Sequence, residues 1–348
     1  MFVFADLKLA GLEATDPEHL KIRRVRRGNG FAYLQTNGRY VRKRKTIKRL
    51  ERLAVPPAYR GALFSINPRA HLQAVARDAA GRLQYRYHPD WESVRELRKA
   101  RRLAKLIDLM PAITRSIAKH LKQKKPNRNF AAAALIDLIA CTAIRPGSEA
   151  YARERGTRGA ATLLKKHVQV TGDKVFLRFQ GKGGKQINKT CESRRLAEAI
   201  RRLQRLSGRR LFQYVMNDDT IVCLRRRDAN AFLCEIAGGQ ISLKDFRTLS
   251  ACSRALEYLA KLDPKRSERG KRAQIKSALR EVANDLANTP AVCKRSYVHA
   301  VVINAFETGQ LKELAPRGRS KRNVGGHRLL QKILQSAFAL RAQRSLKR

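Results

Sequence analysis

Short runs of alternating apolar and polar residues fill the first ninety or so positions, and from Trp91 onward the apolar residues recur at helical spacing. That change of period predicts two unlike halves. Phe31-Ala32-Tyr33-Leu34, the turn Asn37-Gly38 and Tyr40-Val41 read as a hairpin. A basic amphipathic stretch from Arg42 to Leu53 stops at Val55-Pro56-Pro57. Leu63-Phe64-Ser65-Ile66, then residues 71–75 and 83–87, read as further strands, with Asp78-Ala79-Ala80-Gly81 as the turn between the last two.

Helical periodicity begins with Leu97, Leu103, Leu106 and Ile107. The stretch Phe130 to Thr142 is apolar nearly all round, which predicts a buried helix that ends just before Arg145-Pro146-Gly147. Ser148 with Glu149 opens another helix to Glu154. One β excursion interrupts. Residues 168–170, 175–179 and 186–188, joined by Gly172-Asp173 and Gly181-Lys182-Gly183-Gly184, read as a three-stranded meander. Helices resume at 193–206, 228–236, 245–262 and 275–286, followed by a helix carrying Tyr297. A basic tail from Pro316 then precedes an amphipathic segment over 329–340. The fold class predicted is therefore α+β. A small mainly-β domain spans residues 1–90, and a larger mainly-α domain spans 91–348 and contains the meander.

Charge changes the picture. The chain has 348 residues with 76 Lys+Arg against 28 Asp+Glu, a net charge of +48, which implies a polyanionic partner and makes nucleic acid the default. No apolar run approaches the ~20 residues of a spanning helix, and no basic amphipathic anchor stands at either end. The N-terminus, Met1 to Asp6, lacks a basic segment followed by a long apolar one, so a cytoplasmic, nucleoid-associated protein is expected. The six cysteines have no Cys-x-x-Cys pair or matching histidine spacing, and so are expected to be reduced core thiols rather than zinc ligands.

Tyr297 closes the run Lys294-Arg295-Ser296-Tyr297. A phenol among cations can ionise and attack phosphorus, although the same residue could simply be a half-buried helix tyrosine. Phosphodiester exchange also needs fixed cations over the non-bridging oxygens and a proton donor for the leaving oxygen. Arg145, Lys182 and Arg247 are candidates in chain order, each equally readable alone as a solvated charge. Lys185 could occupy the same turn as Lys182. There is no Gly-x-x-x-x-Gly-Lys-Ser/Thr loop and no Asp/Glu cluster suited to magnesium.

The order, spacing and flanking residues of this set resemble the type IB DNA topoisomerases, in the compact form of poxviruses and bacteria. The resemblance runs from about Leu34 to Gly309. Residues 81–88, Gly-Arg-Leu-Gln-Tyr-Arg-Tyr-His, look like the family's Gly-Arg-x-Gln-Tyr-x-Tyr strand. In that family the strand lies in the DNA major groove, which implies DNA contacts by Gln84, Tyr85, Arg86 and Tyr87. Ile144-Arg145-Pro146-Gly147 resembles the first catalytic arginine, and Phe179-Gln180-Gly181-Lys182 the hairpin with the catalytic lysine. Lys244-Asp245-Phe246-Arg247 resembles Lys-Asp-x-Arg, with Lys244 at the DNA. The block from Asn288-Thr289-Pro290 to Tyr297 resembles the one that ends in the nucleophile.

Two departures stand out. Asn288 occupies a position that is histidine in poxvirus and eukaryotic members and accommodates asparagine in bacterial ones, so its role is confined to hydrogen bonding a phosphate oxygen. Pro146 replaces a small aliphatic residue and biases Arg145 toward an extended backbone.

The resemblance implies relaxation of supercoiled duplex DNA through a 3′-phosphotyrosyl intermediate, strand rotation and religation. It implies no ATP, metal or other cofactor, and a monomer that clamps duplex DNA. Tyrosine recombinases, or integrases, use a related arginine, lysine and tyrosine set. They usually carry His-x-x-Arg where this chain has Lys244-x-x-Arg247, and they lack the Gln84-Tyr85-x-Tyr87 strand. A noncatalytic nucleic-acid-binding protein would account for the charge and leave the ordered set unexplained.

Overall fold

The computed structural model describes residues 6–8, 10–314 and 324–346. It divides into two compact units, Met1–Lys99 and Ala100–Arg348.

In the first unit a five-stranded antiparallel sheet has the order β2-β1-β3-β4-β5, with β1 Ile22–Arg27, β2 Gly30–Gln35, β3 Arg60–Phe64, β4 Leu72–Arg77 and β5 Leu83–Tyr87. Helix α1, Arg44–Arg52, places Leu50 in a core with Ile22, Tyr33 and Phe64. The Tyr33 and Phe64 rings meet edge to face with centroids 5.4 Å apart. The pairing of β1 with β2 differs from the expected hairpin. After Asn37-Gly38 the chain returns only as an isolated bridge, Leu34 to Tyr40, while β2 pairs along its length with the basic strand Ile22-Arg23-Arg24-Val25-Arg26-Arg27. β5, like β2, is an edge strand, paired along one side only among the described residues.

Helix α2, Trp91–Leu121, continues into the second unit. At that unit's centre is α3, Arg128–Thr142, whose residues Phe130 to Ile139 are all buried. Its N-terminus is capped by Asn127, whose side chain accepts the Phe130 N–H at 3.0 Å. Its C-cap Ala143 is left-handed, φ 52°, which turns the chain sharply toward Arg145. Next come α4, Glu149–Arg155, and the antiparallel meander of β6 Val168–Thr171, β7 Lys174–Gln180 and β8 Gln186–Glu192. Strict alternation in β7 buries Val175, Leu177 and Phe179 on one face.

Helix α5, Arg194–Arg205, leads to a hairpin of β9 Gln213–Val215 and β10 Ile221–Cys223, too short to be read from alternation. Then follow α6 Arg226–Ala237, α7 Leu243–Leu259, α8 Glu268–Asp285, α9 Pro290–Ser296, α10 Ala300–Glu307, α11 Gln310–Leu314 and α12 Val324–Leu346. The architecture is α+β, with the meander set in the helical unit. Most of the basic tail, residues 315–323, lies outside the described residues.

Three local expectations are corrected. Helix α8 starts at Glu268 rather than Ile275, because Ser267 caps it by accepting the Gly270 N–H at 3.1 Å. The helix expected to carry Tyr297 breaks at that residue. Tyr297 has φ −126° and ψ −48°, and His299 begins the next helix by accepting the Val301 N–H at 3.1 Å. Cys141 and Cys191 form a disulfide rather than remaining reduced, because the last turn of α3 packs beside β8 and leaves their Cα atoms 6.0 Å apart. Cys223, Cys234, Cys252 and Cys293 stand outside any disulfide among the described residues.

Candidate active site

Tyr297 is held by its backbone rather than by helical continuity. Its N–H donates to the Cys293 carbonyl at 3.0 Å, and its carbonyl accepts from the Cys252 thiol of α7 at 3.3 Å. The ring is half-buried and packs against the main core. Arg247, on the second turn of α7, lies with Cζ 5.1 Å from the centroid of that ring.

Arg247 is only 2 % exposed. Its guanidinium donates to the carbonyls of Ala143, where α3 ends, and of Leu286, where α8 ends. One planar fork therefore fixes both segments that deliver site residues. Helix α7 is itself aimed by a capping box, Ser242 with Asp245, in which the Asp245 carboxylate accepts the Ser242 N–H at 2.8 Å.

The two segments meet above Arg247. Arg145 donates from Nη2 to Asn288 Oδ1 at 2.7 Å. Asn288 is delivered by Ala287, left-handed at φ 46°, and by its own N–H bonded to the Ala283 carbonyl at 2.8 Å. Asn288 Nδ2 and Arg247 Nε are buried and have no protein partner among the described residues. Both are donors without an acceptor, as a site for an anionic oxygen requires.

Lys182 opens the tight turn between β7 and β8. Gly183 and Gly184 are left-handed, φ 76° and 74°, and a Cβ on Gly181 would come within 2.8 Å of Ile187. The run of glycines is therefore a requirement of the turn. Lys182 is exposed, with Nζ 6.0 Å from the Tyr151 ring centroid. Lys185 leaves the turn on the other side and donates to the Asn288 carbonyl at 2.9 Å.

A cavity of about 310 Å³ is lined by Arg145, Lys182, Lys244, Arg247 and Tyr297 among others. Burial pushes the Tyr297 phenol up, but the charge and hydrogen bond of Arg247 and the charges of Arg145 and Lys244 outweigh it. The phenol is left below its ordinary value of 10.0. Burial pushes Arg247 down from its ordinary value, opposed by its interaction with Tyr297.

The structure thus brings Tyr297, Arg145, Lys182, Arg247, Asn288 and Lys244 together. Sequence reasoning did not single out Tyr151, Arg158 or Arg226, which line the same cavity. Arg226 sits in the run Arg225-Arg226-Arg227 that opens α6, and among 76 basic residues such a run carries no distinguishing signal. Lys189 on β8 was also missed. It lines an adjoining crevice with Arg145 and Arg247, and burial lowers its pKa.

The strand β5 is split by its faces. Leu83, Tyr85 and Tyr87 are exposed on one side, and the Tyr85 and Tyr87 rings stack at 6.2 Å. Gln84 and Arg86 point the other way and are engaged by protein. Gln84 Nε2 donates to Asp78 at 2.9 Å, and Arg86 donates to the carbonyls of Leu53 and Ala54.

The family model for the catalytic core of eukaryotic DNA topoisomerase I matches residues 89–316, and that for the N-terminal domain of bacterial DNA topoisomerase IB matches residues 30–78. DNA topoisomerase 1B of Acanthamoeba polyphaga mimivirus is 29% identical over 301 residues, covering 84% of this chain and 90% of the viral protein. DNA topoisomerase 1B of Vaccinia virus is 29% identical over 108 residues, covering 31% of this chain and 34% of its own length. Since the catalytic-core match alone spans more than half of the sequence, the chain belongs to the type IB DNA topoisomerase family.

Proposed function

We propose that this protein relaxes supercoiled duplex DNA by transient cleavage of one strand, with Tyr297 as nucleophile. The reading is carried by one observation: a phenol whose pKa is lowered despite burial faces Arg247 in the cavity that Arg145, Lys182 and Lys244 also line.

The Tyr297 phenolate attacks a backbone phosphorus, and a P–O bond forms as the bond to the 5′-oxygen breaks. Lys182 gives a proton to that departing oxygen, leaving a 3′-phosphotyrosyl link and a free 5′-hydroxyl. Arg145 and Arg247 donate to the non-bridging oxygens, whose charge grows in the transition state. The buried Nδ2 of Asn288 supplies a neutral donor to the same oxygens. Religation reverses each step after the free end has turned about the intact strand. One phosphoester replaces another, so no nucleotide hydrolysis has to drive the exchange. One chain supplies every group in this account. Tyr85 and Tyr87 on the exposed face of β5, with Gln84 and Arg86 beside them, contact the duplex in this reading. The bond to Asp78 uses one amide N–H of Gln84, and an amide has a second N–H and a carbonyl oxygen with which to read a base edge.

The test is relaxation of negatively supercoiled plasmid with EDTA present and ATP absent. Relaxed topoisomers support the proposal, and supercoils left intact by folded protein would overturn it.

A further inference from the structure

Lys185 has no assigned part in this chemistry, yet it makes the one side-chain bond, among those described here, that joins the lysine turn to the segment carrying Asn288. Its Nζ donates to the Asn288 carbonyl at 2.9 Å across 103 residues of sequence. The turn itself is closed by the Gly181 N–H bonded to the Lys185 carbonyl at 2.8 Å, so Lys185 belongs to the same rigid unit as Lys182. On the far side, Asn288 is held to Arg145 through its side chain, and its neighbour Leu286 is held to Arg247. Lys182, by contrast, is exposed at the tip of the turn, and the contact that locates its ammonium is the distant ring of Tyr151.

We propose that Lys185 is a positioning residue that docks the turn onto the Asn288 segment, so that Lys182 and the Asn288 amide close on the same phosphate as one unit. This deepens, and rests on, the reading of Tyr297 as the nucleophile. A lysine suits the task because its flexible stem reaches a main-chain carbonyl without disturbing the glycine turn. An arginine can make the same bond. A methionine keeps the stem and loses the donor.

The experiment is single-turnover cleavage of a short duplex at saturating protein, scored as covalent adduct, with affinity measured separately. Lys185→Met is expected to slow cleavage about tenfold, the size of one hydrogen bond from a charged donor, and to leave affinity within about twofold. Lys185→Arg should restore most of the rate. In an Asn288→Ala background the Lys185→Met penalty should shrink to threefold or less (~), because the partner it places is gone.

Sulfur in place of the 5′-bridging oxygen should rescue Lys182→Ala, since a thiolate leaves without a proton, and should recover Lys185→Met only as far as its loss lies in a misplaced Lys182. Four results would overturn the proposal: an unchanged rate in Lys185→Met, a penalty confined to affinity, full additivity with Asn288→Ala, or rescue of Lys185→Met by sulfur with Lys182→Ala left inert. The second would make Lys185 a simple phosphate contact, and the last would make it the proton donor. Absence of adduct in the unmodified protein would instead remove the underlying reading.

Discussion

At the scale of single residues, the site works by setting burial against charge. Burial alone would raise the Tyr297 phenol, and Arg247, Arg145 and Lys244 reverse the sign. In the proposed mechanism the reactive species is the Tyr297 phenolate, and because the phenol's pKa is depressed that species gains population as pH rises and reaches its plateau below the ordinary tyrosine range. Removing a cation must move that rising limb to higher pH. Arg145→Ala is therefore expected to slow cleavage by about a hundredfold, through loss of a preorganised donor, and to shift the rate–pH profile to the alkaline side. Single-turnover rates from neutral to alkaline pH check this, and an unshifted limb would remove Arg145 from the activation of Tyr297. These residues were legible in the sequence because each sits in a short ordered motif. Their connections were not. The bond from Arg145 to Asn288 spans 143 residues, and nothing in either motif names the other. The engagement of Gln84 by Asp78 was equally hidden, because it depends on which face of β5 each residue occupies.

Elements position the site through their ends. Helix α3 stops at left-handed Ala143, α8 stops before left-handed Ala287, and Arg247 accepts the task of binding a carbonyl from each terminus. Period alone predicted α3, α5, α6 and the meander, because each buries one face or all of it. It failed for β1, where Ile22 and Val25 are the only apolar residues of the strand, and at Tyr297, where apolar spacing runs through a break that the His299 cap creates. The disulfide was equally unreadable, since Cys141 and Cys191 lie 50 residues apart with no flanking motif. It links the helix that leads to Arg145 with the strand that follows the Lys182 turn. Cys141→Ser is expected to cost about 2–4 kcal/mol of stability, as for closure of a loop of this length. In denaturant titrations a reductant should destabilise the unsubstituted protein and leave Cys141→Ser unchanged. Equal sensitivity of the two would show that this bridge adds nothing.

For the whole molecule, a net charge of +48 fixes the character of substrate binding. Each phosphate neutralised releases counterions, so affinity for duplex DNA should fall about a thousandfold or more between roughly 50 and 200 mM salt, linearly on logarithmic axes. Affinity flat in salt would mean that this charge does not meet the backbone. Charge made nucleic acid legible from composition, but it could not say what is done to it. That came from the ordered motifs and from the cavity in which they meet. The most direct test of the account is to stop a cleavage reaction with detergent and map the protein–DNA adduct by peptide mass spectrometry. The account expects DNA joined through a 3′-phosphate to Tyr297, a free 5′-hydroxyl on the other fragment, and no adduct in a Tyr297→Phe protein that still binds duplex. An adduct on another residue, or one that persists in Tyr297→Phe, would contradict it.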